Sequence, residues 1–371
     1  MTKVVAVLSS HTPSLCWFRM EMMDEFVARG WKVYAIANEE ETNWQKEFRA
    51  HQVEYRQVAV QRNGLNPWHD LKTYFTLKRL LREIRPDKIF CFQAKTVIYG
   101  CLAANALGIR EVYPLIAGLG SVFLSNTLKA KIVRKILVAE YSRALRNCPA
   151  VFFQNPDDEE VFRTNQIIEN QKTMRLPGSG VNLQKFCPEE LPEQPAFLCI
   201  SRLIRDKGVW EYLEACRILK RECPVVRCML VGPFDTNPSA LQPGDIQPYI
   251  DDGSIEFFGE QADVRPFLKQ CSVYVLPSYR EGTPKTVLEA MATGRAVITT
   301  DAPGCRETVQ DARNGLLVPV KDVNALVEKM KFFVQHPDAI AQMGHCGREI
   351  AEKRFDVKLV NQEICRMMGI G

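Results

Sequence analysis

Along the first half of the chain, short apolar runs are separated by longer stretches in which apolar residues recur at helical spacing. The runs Lys3–Ser9, Lys32–Ala37, Val53–Val60, Lys88–Gln93, Val112–Ala117 and Ala150–Gln154 predict strands. Between them Phe18–Arg29, Asp70–Ile84 and Val97–Leu107 predict helices. An unbroken run such as Val4-Val5-Ala6-Val7-Leu8 suits a strand buried on both faces. Strands alternating with helices imply a parallel, doubly wound sheet. The proline- and acid-rich segment 188–195 then interrupts the pattern and reads as a linker. Beyond it the alternation restarts, with strands expected at Phe197–Ser201, Val226–Val231, Ile255–Phe258, Val273–Leu276, Ala296–Thr299 and Leu316–Val318. The fold class is therefore α/β, with two Rossmann-like domains, 1–187 and 196–354, expected to face each other across a cleft.

Length and composition leave that picture standing. A chain of 371 residues, 46% apolar and 25% charged, has room for two globular cores. No apolar run reaches the roughly 18 residues of a spanning helix. The apolar run after Lys3 is too short for a signal-peptide core. Thirteen cysteines, none spaced C-x-x-C, argue against a zinc site and suit buried thiols in a reducing cytoplasm. Charge changes the picture more. Residues 62–146 hold 15 Lys and Arg against 5 Asp and Glu, in a chain whose net charge is only +4. That excess points to an anionic partner for the first half: nucleic acid, a membrane surface or a polyanionic substrate.

The richest chemistry lies in Pro277 to Glu307. Strand Val273–Leu276 leads into a loop holding Glu281, Gly282, Thr283 and Pro284, and Pro284 to Gly294 reads as a helix with Pro284 in its first turn and Val287 on its buried stripe. A helix N-terminus at the carboxyl end of a strand favours anions. Glu281 and Glu289, about 7–10 Å apart along such a helix, could accept hydrogen bonds from hydroxyls on either side of a phosphate. Two isolated glutamates would equally suit a solvated acid and a helix-dipole partner. Ser201 to Gly208 is a second candidate: Arg202, Arg205 and Lys207 in a turn between strand and helix could clamp a diphosphate, or form a solvated basic loop.

The whole string, with its Gly-Thr-Pro turn and the trailing Asp301-Ala302-Pro303-Gly304-Cys305-Arg306-Glu307, resembles the donor signature of retaining glycosyltransferases of family 4. The resemblance implies the GT-B fold and a nucleotide-sugar donor, here a UDP-sugar, with no further cofactor. It places Arg202 and Lys207 on the donor diphosphate, Glu281 on the donor sugar and Glu289 on the ribose. Gly232 and Glu260, at strand ends, would line the base pocket, although turn formation alone accounts for Gly232-Pro233. The helix Phe355–Met368 would cross back, so that residues 355–371 complete the first domain. Members stabilise the leaving diphosphate with cations and a helix dipole, and the chain has no D-x-D triplet, so no metal is expected.

The first half is similar, more loosely, to members acting on polyprenyl-diphosphate sugars. The shared features are a loop Ser9 to Arg19 ending in Phe18-Arg19, Leu65-Asn66-Pro67 ahead of a helix, and Gly118-Leu119-Gly120-Ser121. Many relatives carry two glycines in the first loop; this chain has none between Ser9 and Arg19. His11, Ser14, Arg19, Lys95, Gly118, Gly120 and Ser121 are the acceptor-side candidates. The basic amphipathic helix Leu128 to Arg146, with Lys129, Lys131, Arg134 and Lys135, would rest on an anionic membrane, each cation contributing about 1 kcal/mol; a solvated helix face is the alternative. The resemblance thus implies transfer of a hexosamine from a UDP-sugar to a polyprenyl-diphosphate-linked sugar at the inner face of a bacterial plasma membrane. A UDP-sugar epimerase of the same architecture and a non-catalytic sugar-nucleotide binder are the alternatives. A nucleic-acid binder ranks last, because no aromatic-interleaved basic motif is present.

Overall fold

The computed structural model describes residues 2–61, 66–119, 123, 127–169 and 171–371, apart from the side chain of Lys129. They form two compact units: Met1–Ser179 with Lys358–Gly371, and Gly180–Val357. The division falls before the proline-rich segment, and residues 188–195 belong to the second unit. Arg295 Nη2 donates to the Glu190 carbonyl at 3.0 Å, which ties that segment down instead of leaving it a free linker.

The first unit holds a seven-stranded sheet in the order β3-β2-β1-β4-β5-β6-β7, every pair parallel. Its strands are β1 (Val4–Leu8), β2 (Lys32–Ala37), β3 (Val53–Gln57), β4 (Lys88–Phe92), β5 (Val112–Ile116), β6 (Ala150–Phe153) and β7 (Lys172–Arg175). The helices are α1 (Thr12–Ala28), α2 (Glu41–Ala50), α3 (Pro67–Ile84), α4 (Ala94–Ala106), α5 (Leu128–Leu145) and α6 (Pro156–Thr164). Side chains alternate across the strands, so Ala6 and Leu8 pack with α3, α4 and α5, while Val5 and Val7 pack with α1. Both layers are apolar, which is why β1 reads as an unbroken apolar run. The C-terminal helix, labelled α13 below, joins the second layer through Val360, Ile364, Cys365 and Met368.

The second unit repeats the plan with six parallel strands ordered β10-β9-β8-β11-β12-β13. They are β8 (Ala196–Ile200), β9 (Arg227–Val231), β10 (Glu256–Phe257), β11 (Val273–Leu276), β12 (Ala296–Thr300) and β13 (Gly315–Val318). The helices that follow are α7 (Val209–Glu222), α8 (Pro243–Asp251), α9 (Arg265–Gln270), α10 (Lys285–Ala292), α11 (Val323–Gln335) and α12 (Pro337–Ile350), with α13 (Val357–Met368) closing the chain. In both units strand order reverses at the first strand, which puts a crevice at the carboxyl ends of β1 and β4 and of β8 and β11.

Two local expectations are corrected. The segment Ser9 to Arg19 is not one loop: α1 begins at Thr12, His11 is its extended N-cap at φ −151°, and Pro13 sits in the first turn, where no N–H is needed. Ser14 and Arg19 are therefore helical residues. Pro284 is likewise the N-cap of α10 (φ −72°, ψ 110°) and not part of its first turn.

Candidate functional site

In the second unit two loops meet at the crevice. The chain leaves β8 through Ser201 and Arg202 into a 3-10 turn, Arg205–Lys207, closed by Gly208 at φ 69°. A Cβ on Gly208 would stand 2.0 Å from the carbonyl oxygen of Pro277, the residue after β11, so only glycine lets the loops lie this close. The Asp206 carbonyl then accepts from the Tyr279 N–H at 2.9 Å and from Ser278 Oγ at 3.2 Å. The Tyr279 hydroxyl donates to Glu211 Oε1 of α7 at 2.6 Å, locking the β11 loop to a helix.

This docking sets Lys207 Nζ against Glu281 Oε1 in an ion pair. Only 20% of the Lys207 side chain and 11% of the Glu281 side chain are exposed, so water screens the pair weakly. The Glu281 N–H donates to the Pro303 carbonyl at 2.9 Å. Gly304, at φ 83°, has no room for a Cβ, which would fall 2.1 Å from the Glu281 carbonyl oxygen. Glu281 is therefore held from both sides of its backbone. Arg202 Nη1 pairs with Asp235 Oδ2 at 2.8 Å, whereas Arg205 stacks its guanidinium over Trp210 at 5.0 Å.

Glu289 lies on α10, and burial raises its carboxyl to about 7, against the pull of Lys285 and Lys185 and with some help from Asp263. Helix α10 has no acidic residue in its first turn, and its N-terminus carries the positive end of the helix dipole. Gly282 and Thr283 lead into that turn. Val287 is fully buried and its N–H is taken by the Pro284 carbonyl, so it shapes the helix and presents no group. Gly232 follows β9, its N–H donating to the Gly259 carbonyl at 2.8 Å; Glu260 is exposed beside it. The cluster offers cations and a helix N-terminus to an anion, and carboxylates to hydroxyls.

In the first unit a glutamine, serines and a histidine join the loops at the crevice. Gln93 Oε1 accepts from the Ser10 N–H at 2.8 Å, Ser10 Oγ at 2.7 Å and Ser9 Oγ at 3.0 Å. Gln93 Nε2 donates to Ser14 Oγ at 3.2 Å, which lies 2.9 Å from His11 Nδ1. Gln93 thus joins the β1 and β4 loops, and it does so at φ 71°, ψ 141°, a conformation costly for a side-chain-bearing residue. Its part was missed in the sequence because an isolated glutamine after a strand carries no pattern.

The other acceptor-side candidates scatter. Arg19 is buried on α1, its guanidinium 5.4 Å from the Phe90 and Phe92 rings and depressed to about 10 by burial. Its Nε and Nη1 have no hydrogen-bond partner. Lys95 pairs with Asp70 at 2.6 Å. Gly118 is exposed; Leu65, Gly120 and Ser121 lie outside the described residues.

A groove of about 800 Å³ runs between α3, α4 and α5, lined by Asp70, Tyr74, Tyr99, Leu102, Ile136 and Glu140 among others. Tyr99 meets Glu140 at 3.1 Å and Asn105 Nδ2 donates to the Ala144 carbonyl at 3.2 Å. This register carries the first two turns of α5, about 12 Å, past the start of α4. Leu128, Ile132 and Ile136 are more than half exposed there, beside exposed Lys131 and Lys135 and the half-buried Arg134; the Lys129 side chain lies outside the described residues. Trp68, Leu71 and Phe75 expose a second apolar stripe on α3. Among the described residues no helix is long and apolar enough to cross a membrane.

Comparison with known proteins decides the family. Residues 4–155 match the family described as Glycosyl transferase 4-like, and residues 194–336 match Glycosyl transferases group 1. The chain is 30% identical to the N,N'-diacetylbacillosaminyl-diphospho-undecaprenol alpha-1,3-N-acetylgalactosaminyltransferase of Campylobacter jejuni, covering 89% of each chain. It is a family 4 glycosyltransferase. An amylovoran biosynthesis glycosyltransferase of Erwinia amylovora is 23% identical over 76% of this chain and 71% of its own. Among solved structures, sucrose-phosphate synthase from Thermosynechococcus elongatus superposes with a TM-score of 0.79 at 20% identity, over 98% of both chains. Anabaena Alr3699/HepE in complex with UDP and glucose does so with a TM-score of 0.76 at 16% identity, over 100% of both. The fold of this glycosyltransferase is GT-B.

Proposed function

We propose that this glycosyltransferase moves an N-acetylhexosamine, GalNAc or GlcNAc, from a UDP-sugar to an undecaprenyl-diphosphate-linked saccharide, with retention at the anomeric carbon and no metal. The observation that carries the donor half is the half-buried Lys207–Glu281 pair, set by the docked β8 and β11 loops, with Arg202 in the first loop and the N-terminus of α10 after the second. Lys207 and Arg202 hold the diphosphate, Glu281 accepts from donor-sugar hydroxyls and Glu289 from the ribose. The acceptor oxygen bonds to the anomeric carbon as the bond from that carbon to the phosphate oxygen breaks. The acceptor proton passes to the departing phosphate, so the protein's work is positioning and charge stabilisation.

The acceptor class draws its support from the Campylobacter relative, whose substrate is an undecaprenol-diphosphate sugar. The exposed apolar stripes of α3 and α5, with Lys131 and Lys135 alongside, suit the anionic inner face of a bacterial plasma membrane, where such an acceptor sits. The experiment is UDP release from a panel of UDP-sugars with and without short polyprenyl-diphosphate-GlcNAc or -GalNAc, repeated in EDTA. Acceptor-dependent, EDTA-resistant release with an N-acetylhexosamine donor is expected. Acceptor-independent turnover would favour an epimerase instead, and UDP binding without release a non-catalytic binder.

A further inference from the structure

The segment after β9 lies along the loop that carries Arg202. The Leu203 N–H donates to the Pro233 carbonyl at 3.0 Å, the Arg205 N–H to the Ser239 carbonyl at 2.9 Å and the Leu241 N–H to the Leu203 carbonyl at 2.8 Å. Between these ties the chain turns around Asp235. Its Oδ1 accepts from the Asn237 N–H at 2.8 Å, and Asn237 Oδ1 accepts in turn from the Ser239 N–H at 2.9 Å and Ser239 Oγ at 3.0 Å. The second carboxylate oxygen, Oδ2, accepts from Arg202 Nη1 at 2.8 Å. Asp235 is thus fixed to backbone on one side and holds the arginine on the other.

The two partners are unequally covered. The Asp235 side chain is 15% exposed and that of Arg202 37%, so the carboxylate is the anchored member and the guanidinium the one open to solvent. A pair this open adds little to stability. What it sets is direction. The guanidinium is a rigid planar fork of N–H donors, and holding it at Nη1 leaves the Nε–Nη2 edge to take two oxygens at once. An edge oriented beforehand loses less rotational freedom when its ligand arrives.

We propose that Asp235 is a positioning residue for Arg202, gripping Nη1 so that the Nε–Nη2 edge meets two oxygens of a nucleoside diphosphate. This rests on the reading that Arg202 holds the donor diphosphate. The carboxylate acts through the arginine and stays on the side of it away from the ligand.

Dissociation constants for UDP and for uridine, from nuclear magnetic resonance titrations, test it. Asparagine at 235 has one oxygen for two donors: kept on the Asn237 N–H, it turns an NH2 towards Arg202 Nη1, and donor then meets donor. Asp235→Asn therefore preserves the turn and releases the arginine. UDP should bind this variant about tenfold more weakly, the worth of one well-placed hydrogen bond to a charged group. Uridine has no phosphate for Arg202 to meet and should bind as it does to the native protein. Arg202→Ala should weaken UDP at least as much, and adding Asp235→Asn to it should change UDP affinity by less than about twofold. UDP affinity unchanged or tighter in Asp235→Asn would make the carboxylate a competitor of the diphosphate. Equal losses for UDP and uridine would make it a prop of the loop, and an undiminished loss in the Arg202→Ala background would mean that it does not act through Arg202. Each of these overturns the positioning role while leaving Arg202 on the diphosphate. UDP binding indifferent to Arg202→Ala removes Arg202 from the diphosphate, and the role of Asp235 goes with it.

Discussion

The two crevices solve one geometric problem, bringing two strand-end loops together, in opposite ways. In the second unit glycine does it: Gly208 and Gly304 let backbone lie on backbone, and the side chains brought in are charged. In the first unit a glutamine adopts a conformation better suited to glycine, and its side chain ties the loops through neutral serines and a histidine. The difference teaches what each half can do. Charges at 11–20% exposure can neutralise a leaving diphosphate. The amide and hydroxyl groups of the first unit hold its two loops in place and bring no fixed charge of their own.

The sharpest break between the halves should be kinetic. Lys207→Ala leaves Glu281 without its cation and should lower kcat about a thousandfold. A circular dichroism melt has to accompany the assay. Transfer retained by a folded Lys207→Ala enzyme removes Lys207 from the clamp and with it the contrast.

Stability should separate the crevices next. Gly208→Ala adds a Cβ 2.0 Å from the Pro277 oxygen at φ 69°, and should cost about 2–3 kcal/mol in urea unfolding. At Gln93 the preference reverses: Gln93→Gly should be more stable than Gln93→Ala by about 1 kcal/mol, since both lose the amide but only glycine relaxes φ 71°. Equal stabilities of the two Gln93 variants would mean the backbone there is not strained.

Glu289 carries the comparison into pH. Burial lifts its carboxyl from 4.5 to about 7, so the folded protein holds a proton there that the unfolded chain releases. Stability from this group is complete below about pH 4.5 and is lost as pH rises through about 7. Glu289→Gln removes the titration, and should melt above the native protein at pH 8, by on the order of 2 kcal/mol, while matching it near pH 4. The same change should abolish donor binding if the ionised carboxylate holds the ribose. A variant that binds UDP normally at pH 8 would make Glu289 a structural acid.

How much of this was legible follows from where the residues sit in the chain. The Lys207 turn and the Glu281–Glu289 string are contiguous, because the backbone itself makes the clamp, so their residues recur as a readable pattern. The strands were legible because both faces of each sheet are buried and the runs are unbroken. Edge strand β7, Lys-Thr-Met-Arg, was missed: with little of it buried, it shows no apolar run. The start of α1 was missed because its first turn, Thr12-Pro13-Ser14, looks like a turn until His11 is seen to cap it. Gln93, Ser14 and His11 come from two loops whose meeting only the sheet order creates. The helix Leu128 to Arg146 was legible as amphipathic, but that Ile132 and Ile136 stay exposed follows only from α5 running past its neighbour.

That overhang gives the smallest effect and the last contrast, between the unit proposed to meet a membrane and the other. Lys131 and Lys135 are exposed beside Leu128 and Ile132, and Trp68 is 78% exposed on α3. Each cation near an anionic surface contributes about 1 kcal/mol, and an exposed tryptophan enters the headgroup layer readily. Co-sedimentation with phosphatidylglycerol vesicles should therefore fall several-fold for Lys131→Glu and for Trp68→Ser. Salt should weaken binding of the native protein but change little of what Trp68→Ser removes, because screening acts on charge and not on apolar burial. Arg217→Glu on the second unit, where α7 packs against α8, should leave vesicle binding where it was. Equal losses from the two units would mean that net charge alone draws the protein to anionic lipid, and the α3 and α5 stripes would then need another partner.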